Sequence, residues 1–131
     1  YEHLSENMFN FKPIPFFMKT KISQISCGGY HSLFLDITGT IWSCGQNDCG
    51  QLGLGHCNRN ETALPREIKY FKQNQICVKA MASGCKHNLI LDISGRVYAF
   101  GSNKYGQCGC ETSLVKSLSD ILFFFKKIIH I

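Results

Sequence analysis

One stretch of this 131-residue chain occurs twice. Residues 26–53, SCGGYHSLFLDITGTIWSCGQNDCGQLG, and residues 82–109, ASGCKHNLILDISGRVYAFGSNKYGQCG, align without a gap at an offset of 56 residues. Twelve of the 28 aligned positions are identical, and others exchange like for like, as in Ile41/Val97 and Trp42/Tyr98. A fixed period of this length makes each copy one supersecondary unit, which must stack on a neighbour to bury its apolar surface. The chain is therefore built as a series of like units.

Each unit can be read element by element. Ser32-Leu33-Phe34-Leu35-Asp36 is a short apolar run ended by the turn signal Thr38-Gly39, and Ile41-Trp42-Ser43-Cys44 follows as the second arm of a hairpin. Leu89-Ile90-Leu91, Ser94-Gly95 and Val97-Tyr98-Ala99-Phe100 repeat the arrangement. Residues 22–25 and 78–81 add a β-like segment ahead of each hairpin. Residues 65–71 offer a fourth, opened by Pro65 where a missing N–H costs least. Four short strands per unit of about 50 residues describe an all-β chain of four-stranded antiparallel β-propeller blades. The expected organisation is an incomplete propeller of about two blades plus flanking strands. It comprises a preceding blade's outer strand and linker over 1–21, a first blade over 22–77, a second over 78–127 and the start of a third repeat at 128–131. Pro15-Phe16-Phe17-Met18 and residues 122–125 read as outer strands, and Ile128-Ile129-His130-Ile131 takes the place of Ile22-Ser23-Gln24-Ile25. Leu118, Ile121, Leu122, Phe125, Ile128 and Ile129 also fit helical spacing, but the repeat favours strands over 118–131. A chain that starts on Tyr1 and stops where a further G-x-x-H is due reads as an excerpt of a longer protein.

Charge and cysteine narrow the function classes. Fourteen Lys and Arg against nine Asp and Glu give a formal charge of +5, spread singly or in pairs. No clustered basic stripe is interleaved with stacking aromatics, so direct nucleic-acid binding is not expected. No run approaches the roughly 18 apolar residues that a membrane helix needs, and no membrane role is expected. Eight cysteines (Cys27, Cys44, Cys49, Cys57, Cys77, Cys85, Cys108 and Cys110) lack both a secretory context for disulfides and the C-x₂-C knuckles of a zinc site. They read as small, readily buried apolar residues in a reducing compartment, which points to an intracellular protein of the cytoplasm and/or nucleus.

The repeated residues spell G-x-x-H, D-x-x-G and G-x-N-x-x-G-Q-x-G. In the first copy they are Gly28, His31, Asp36, Gly39, Gly45, Asn47, Gly50, Gln51 and Gly53. In the second they are Gly84, His87, Asp92, Gly95, Gly101, Asn103, Gly106, Gln107 and Gly109. Over two whole repeats, from about residue 22 to residue 111, the pattern resembles the repeat of the regulator of chromosome condensation family. The WD type of propeller lacks its Trp-Asp pair here, and the double Gly of kelch units is Gly84-Cys85 in the second copy. The resemblance implies a seven-bladed propeller, with the remaining blades supplied by the rest of the chain. It also implies one of several divergent uses: guanine-nucleotide exchange on a small Ran-like GTPase, chromatin attachment, ubiquitin-ligase targeting, or light or partner sensing in plants.

Catalysis would need a nucleophile, a base and a stabilising group that converge. His31 and His87 stand at equivalent repeat positions, which points to a scaffold role in fixing a loop carbonyl or a neighbouring blade. The Gly-rich stretch 45–55 leads into a polar loop, not into the helix that a phosphate cradle needs. Asp36 and Asp92 read as turn caps that accept backbone N–H groups. No catalytic, cofactor-binding or metal-ligating residue is assigned. The expected function is a non-catalytic protein-interaction module. Its partner would be a small GTPase, a chromatin protein or a ligase component. The alternatives are an exchange factor for a Ran-like GTPase and the substrate-recruiting propeller of a ubiquitin-ligase-type protein. Residues 56–67 form the longest non-repeating stretch, read as a loop, and Asn58, Arg59, Asn60 and Glu61 within it are the candidate contact surface.

Overall fold

The D-x-x-G turns and the segments ahead of them fold as two successive four-stranded antiparallel sheets. The structure, a computed structural model, describes residues 11–109 and 128–129. In the first sheet β1 (Ile22–Cys27), β2 (His31–Asp36), β3 (Ile41–Asn47) and β4 (Asn58–Glu67) lie side by side in chain order. In the second, β5 (Val78–Ser83), β6 (His87–Asp92), β7 (Arg96–Gly101) and β8 (Ile128–Ile129) do the same. Each sheet is a propeller blade.

The repeat carries through to the register. His31 pairs with Gly45 and Leu35 with Ile41, as His87 pairs with Gly101 and Leu91 with Val97. Even the irregularity is repeated. The pairing slips between Ile22 and Gln24, and between Val78 and Ala80, so Ser23 and Lys79 bulge at the same place.

The core lies between the sheets. Leu33, Leu35 and Ile41 of the first face Ile90, Tyr98 and Phe100 of the second, all at most 5% exposed. The two sheets use opposite phases of the same strand. Leu33 and Leu35 of β2 point into this core, whereas Asn88, Ile90 and Asp92 are the buried residues of β6. A blade buried on both faces needs an unbroken apolar run such as Leu33-Phe34-Leu35 instead of strict alternation. On its other face the first sheet packs Phe34 and Trp42 against Phe16 and Phe17, with ring centroids 4.7 Å apart for Phe17–Phe34 and 5.2 Å for Phe16–Trp42.

Three expectations give way. Residues 65–71 belong to the expected fourth strand only as far as Glu67. β4 ends at Glu67 and the chain turns into the short helix α1 (Lys69–Gln73), whose Phe71 is 1% exposed and meets Tyr98 edge-on at 5.8 Å. Pro15–Phe17 is a 3-10 turn with Pro at its start, not an outer strand. Its Phe17 packs near Trp42, as Phe71 packs against the equivalent Tyr98, so these residues wedge a blade from the connection that precedes it. Third, Ile128–Ile129 does not open a new repeat. Ile128 pairs with Val97, the place Ile68 takes by donating its N–H to Ile41, so β8 is the outer strand of the second sheet. The residue opposite this position follows 60 residues after Ile68 instead of 56, and a fixed offset misplaces it. Residues 1–10, 110–127 and 130–131 lie outside the described residues, and with them Cys110 and the choice of strand or helix for residues 118–127.

Candidate functional site

The G-x-x-H segment closes each β1–β2 and β5–β6 connection. Gly28 N–H donates to the His31 carbonyl at 2.8 Å, and Gly84 N–H to the His87 carbonyl at 2.9 Å. Glycine is required for a steric reason: a Cβ at Gly28 would collide with Cε1 and Nδ1 of His31, and one at Gly84 with the His87 ring. The imidazole fills the space a glycine Cβ would take, and the Cα of His31 is crowded by Gly45, whose φ is +105°. His31, 3% exposed, reaches across to the second sheet, where Nε2 meets Asn88 Oδ1 at 2.8 Å. Asn88 Nδ2 in turn donates to the Gln51 carbonyl at 2.7 Å. That bond assigns the Asn88 amide and makes Nε2 the protonated nitrogen of His31. Burial, together with the nearby His87 and against the bond to Asn88, holds the His31 pKa below its usual value.

The two repeated carboxylates organise their own turns. Asp36 Oδ1 accepts the N–H groups of Thr38 (2.9 Å) and Thr40 (3.0 Å) and the Thr38 hydroxyl (2.6 Å), while Oδ2 accepts Trp42 Nε1–H at 3.0 Å. Asp92 Oδ1 accepts Ser94 and Arg96 N–H, both at 2.9 Å, and Oδ2 accepts Arg96 Nε–H at 2.6 Å and Tyr98 O–H at 3.3 Å. Burial opposes ionisation of both, but the converging donors outweigh it and hold each carboxyl below the usual range. The positive φ of Gly39 and Gly95, +86° and +81°, lets each turn close.

The G-x-N-x-x-G-Q-x-G loop is satisfied from within. Asn47 Oδ1 accepts Leu52 N–H at 3.1 Å, and Asn103 Oδ1 accepts Cys108 N–H at 2.9 Å. Gln51 Oε1 accepts Cys49 N–H and Gln107 Oε1 accepts Tyr105 N–H, both at 2.8 Å. Gly50, Gly53, Gly106 and Gly109 all have positive φ where this loop reverses. The repeated residues thus come together in pairs and turns, and they do not converge on a common point.

Several contacts between the sheets rest on residues that sequence comparison passed over. Lys86 Nζ donates to Asp48 Oδ2 at 2.8 Å, which lowers the Asp48 pKa and raises that of Lys86. Gly29 N–H donates to the Cys85 carbonyl at 3.0 Å, and Gln24 Nε2 to the Lys79 carbonyl at 2.7 Å. Asn88, Lys86 and Asp48 differ from their counterparts Ser32, Tyr30 and Lys104, so identity between repeats could not flag them. The proposed contact residues Asn58, Arg59, Asn60 and Glu61 are not in a loop. They open β4, the outer strand of the first sheet, and the loop ahead of it ends at Cys57.

Among the described residues no group of three or more His, Cys, Asp or Glu side chains could hold a metal ion. Among the described cysteines Cys27, Cys77 and Cys85 are exposed and Cys108 is buried. Burial pushes the thiols of Cys44, Cys49 and Cys57 up. A cleft of about 580 Å³, lined among others by Trp42, His56, Arg66, Glu67, Lys69 and Tyr70, opens between β4 and α1. No helix among the described residues is long and apolar enough to cross a membrane.

Two family models described as Regulator of chromosome condensation (RCC1) repeat match the chain, one over residues 22–51 and 78–107, the other over 38–91 and 94–123. The chain is 35% identical over 127 residues to Protein RCC2 homolog of Xenopus laevis, covering 94% of this chain and 24% of that protein. It is 38% identical over 89 residues to Probable E3 ubiquitin-protein ligase HERC4 of Homo sapiens, covering 68% of this chain and 8% of that protein. Among solved structures, Prp20p from Saccharomyces cerevisiae superposes with a TM-score of 0.65 at 21% identity, over 74% of this chain and 22% of that one, a likeness of fold. The chain thus spans a quarter or less of these proteins.

Proposed function

This chain belongs to the Regulator of chromosome condensation (RCC1) repeat family, and from that premise we propose that it is a non-catalytic protein-docking module, two neighbouring blades of a larger ring. The blades that go with this reading run over residues 22–77 and from 78 to β8. The carrying observation is the use to which the repeated polar side chains are put. His31 is committed to Asn88, Asp36 and Asp92 to their own turns, and Asn47, Gln51, Asn103 and Gln107 to their own loops. Side chains so occupied hold a framework and leave recognition to the residues between them.

Exchange on a Ran-like GTPase would make the full-length protein accelerate release of labelled GDP, and no acceleration at excess protein removes that reading. The similarity to HERC4 favours a second reading, recruitment of substrates to a ubiquitin-ligase-type protein. It calls for co-purification with ligase subunits, and their absence from affinity-purified full-length protein counts against it. The docking reading itself is tested by proximity cross-linking of the full-length protein in cells. Reproducible partners whose capture is lost when the blades are deleted support it, and capture indifferent to the blades refutes it.

A further inference from the structure

At the joint between the two sheets His31 uses one ring nitrogen and leaves the other. Nε2–H donates to Asn88 Oδ1 at 2.8 Å, so Nδ1 carries a lone pair that calls for a donor. Nδ1 is buried, in a residue 3% exposed, and no group among the described residues hydrogen-bonds to it. An acceptor in this position has given up its hydration on folding and gained nothing in exchange.

Ser83 is in the same situation. Its Oγ is buried and has no hydrogen-bond partner among the described residues. Ser83 stands directly opposite Asn88 where β5 pairs with β6. Residues opposite each other in an antiparallel pair present their side chains on one face, with Cβ atoms about 5 Å apart. Asn88 turns its side chain to His31, so Ser83 faces the same joint. A third polar group is close by. The point that a Cβ on Gly28 would occupy is in contact with His31 Nδ1 and lies 2.7 Å from the Gly84 carbonyl oxygen. Their chemistry identifies what fits between them. Nδ1 and the carbonyl accept, while a serine hydroxyl can donate. A group that donates twice and accepts once satisfies all three, and a buried water typically makes about three such bonds. Identity between the repeats could not flag Ser83, because its counterpart is Cys27.

We propose that the joint binds one ordered water, which gives one O–H to His31 Nδ1 and the other to the Gly84 carbonyl and accepts the Ser83 O–H. It makes a second polar link between the sheets, beside the direct bond to Asn88, and fixes the imidazole in the tautomer which that bond uses. The water serves Nδ1 alone; Nε2 stays with Asn88, which is 0% exposed. Crystals of the full-length protein that show ordered solvent test the site. The expected result is a water within about 3.2 Å of both His31 Nδ1 and Ser83 Oγ, as well ordered as the side chains around it. Ser83→Ala should lower the melting temperature by about 2 °C or more in the wild-type background and add nothing in a His31→Ala background. Density without a water at Nδ1, a direct bond from Ser83 Oγ to Nδ1, or an equal loss from Ser83→Ala with and without His31 overturns the site. If the His31→Ala protein does not fold, the crystal result decides.

Discussion

Replacing Asn88 by alanine removes the side chain that joins the two blades through two hydrogen bonds at once. His31 Nε2–H loses its acceptor at 2.8 Å, and the Gln51 carbonyl loses its donor at 2.7 Å. Water cannot readily take over, because Asn88 and Gln51 are 0% exposed and His31 3%. Stranding a buried polar group costs about 1–3 kcal/mol, so two of them predict a loss of about 2–6 kcal/mol. The assay is urea unfolding of the full-length protein, with Asn88→Ala, His31→Ala and the double variant forming a cycle. A coupling of at least about 1 kcal/mol is expected between these two positions, which lie 57 residues apart in sequence. Asn88→Ser, which installs the residue found at the same place in the first repeat, should fall between wild type and alanine. A loss below about 0.5 kcal/mol for Asn88→Ala, with additive single variants, would refute the inter-blade pin.

Three further outcomes follow from the same structure. Burial keeps His31 neutral in the folded protein near neutral pH, so its contribution to stability is complete above its ordinary pKa of 6.5 and is lost progressively as pH falls from that value through the lowered value of the folded state. Melting temperatures recorded from pH 7.5 to pH 5.5 should therefore decline less steeply in His31→Gln than in wild type, although that variant starts lower. Gly45→Ala should cost about 3 kcal/mol or more, since its Cβ would strike the Tyr30 carbonyl and its φ is +105°; Gly39→Ala, at φ +86° with nothing within 4 Å, should cost about 1 kcal/mol, and denaturant midpoints compare them. Phe71→Ala should lose about 3–5 kcal/mol by emptying a site that is 1% exposed, and Phe17→Ala roughly half of that because its ring is only half-buried; thermal unfolding ranks the two.

The scaffold was legible in the sequence wherever one residue does the same work in both copies. Gly28 and Gly84 each lie under an imidazole, Asp36 and Asp92 each gather the N–H groups of a turn, and identity at an offset of 56 residues points to all four. Contacts between blades escape that signal. Asn88 meets His31, and Lys86 meets Asp48, as unlike residues from different positions of the unit. Short apolar runs carried too little periodicity to separate strand from helical turn. Pro15-Phe16-Phe17 and Tyr70-Phe71 therefore read as β-like, although each supplies aromatic rings to a blade face from a turn. The segment 58–67 has no second copy within the aligned stretches, and its polar residues suggested a loop where the outer strand of the first sheet forms.

The central claim is that the repeated motif residues fix the turns and loops of each blade, and that His31 alone of them reaches across to pin the next blade at Asn88. A crystal structure of the full-length protein tests it most directly. The account predicts two adjacent four-stranded sheets with His31 Nε2 within hydrogen-bonding distance of Asn88 Oδ1, and Asn88 Nδ2 on the Gln51 carbonyl. A structure in which His31 turns away from Asn88 toward an open pocket, or in which the two sheets do not pack against each other, would contradict it.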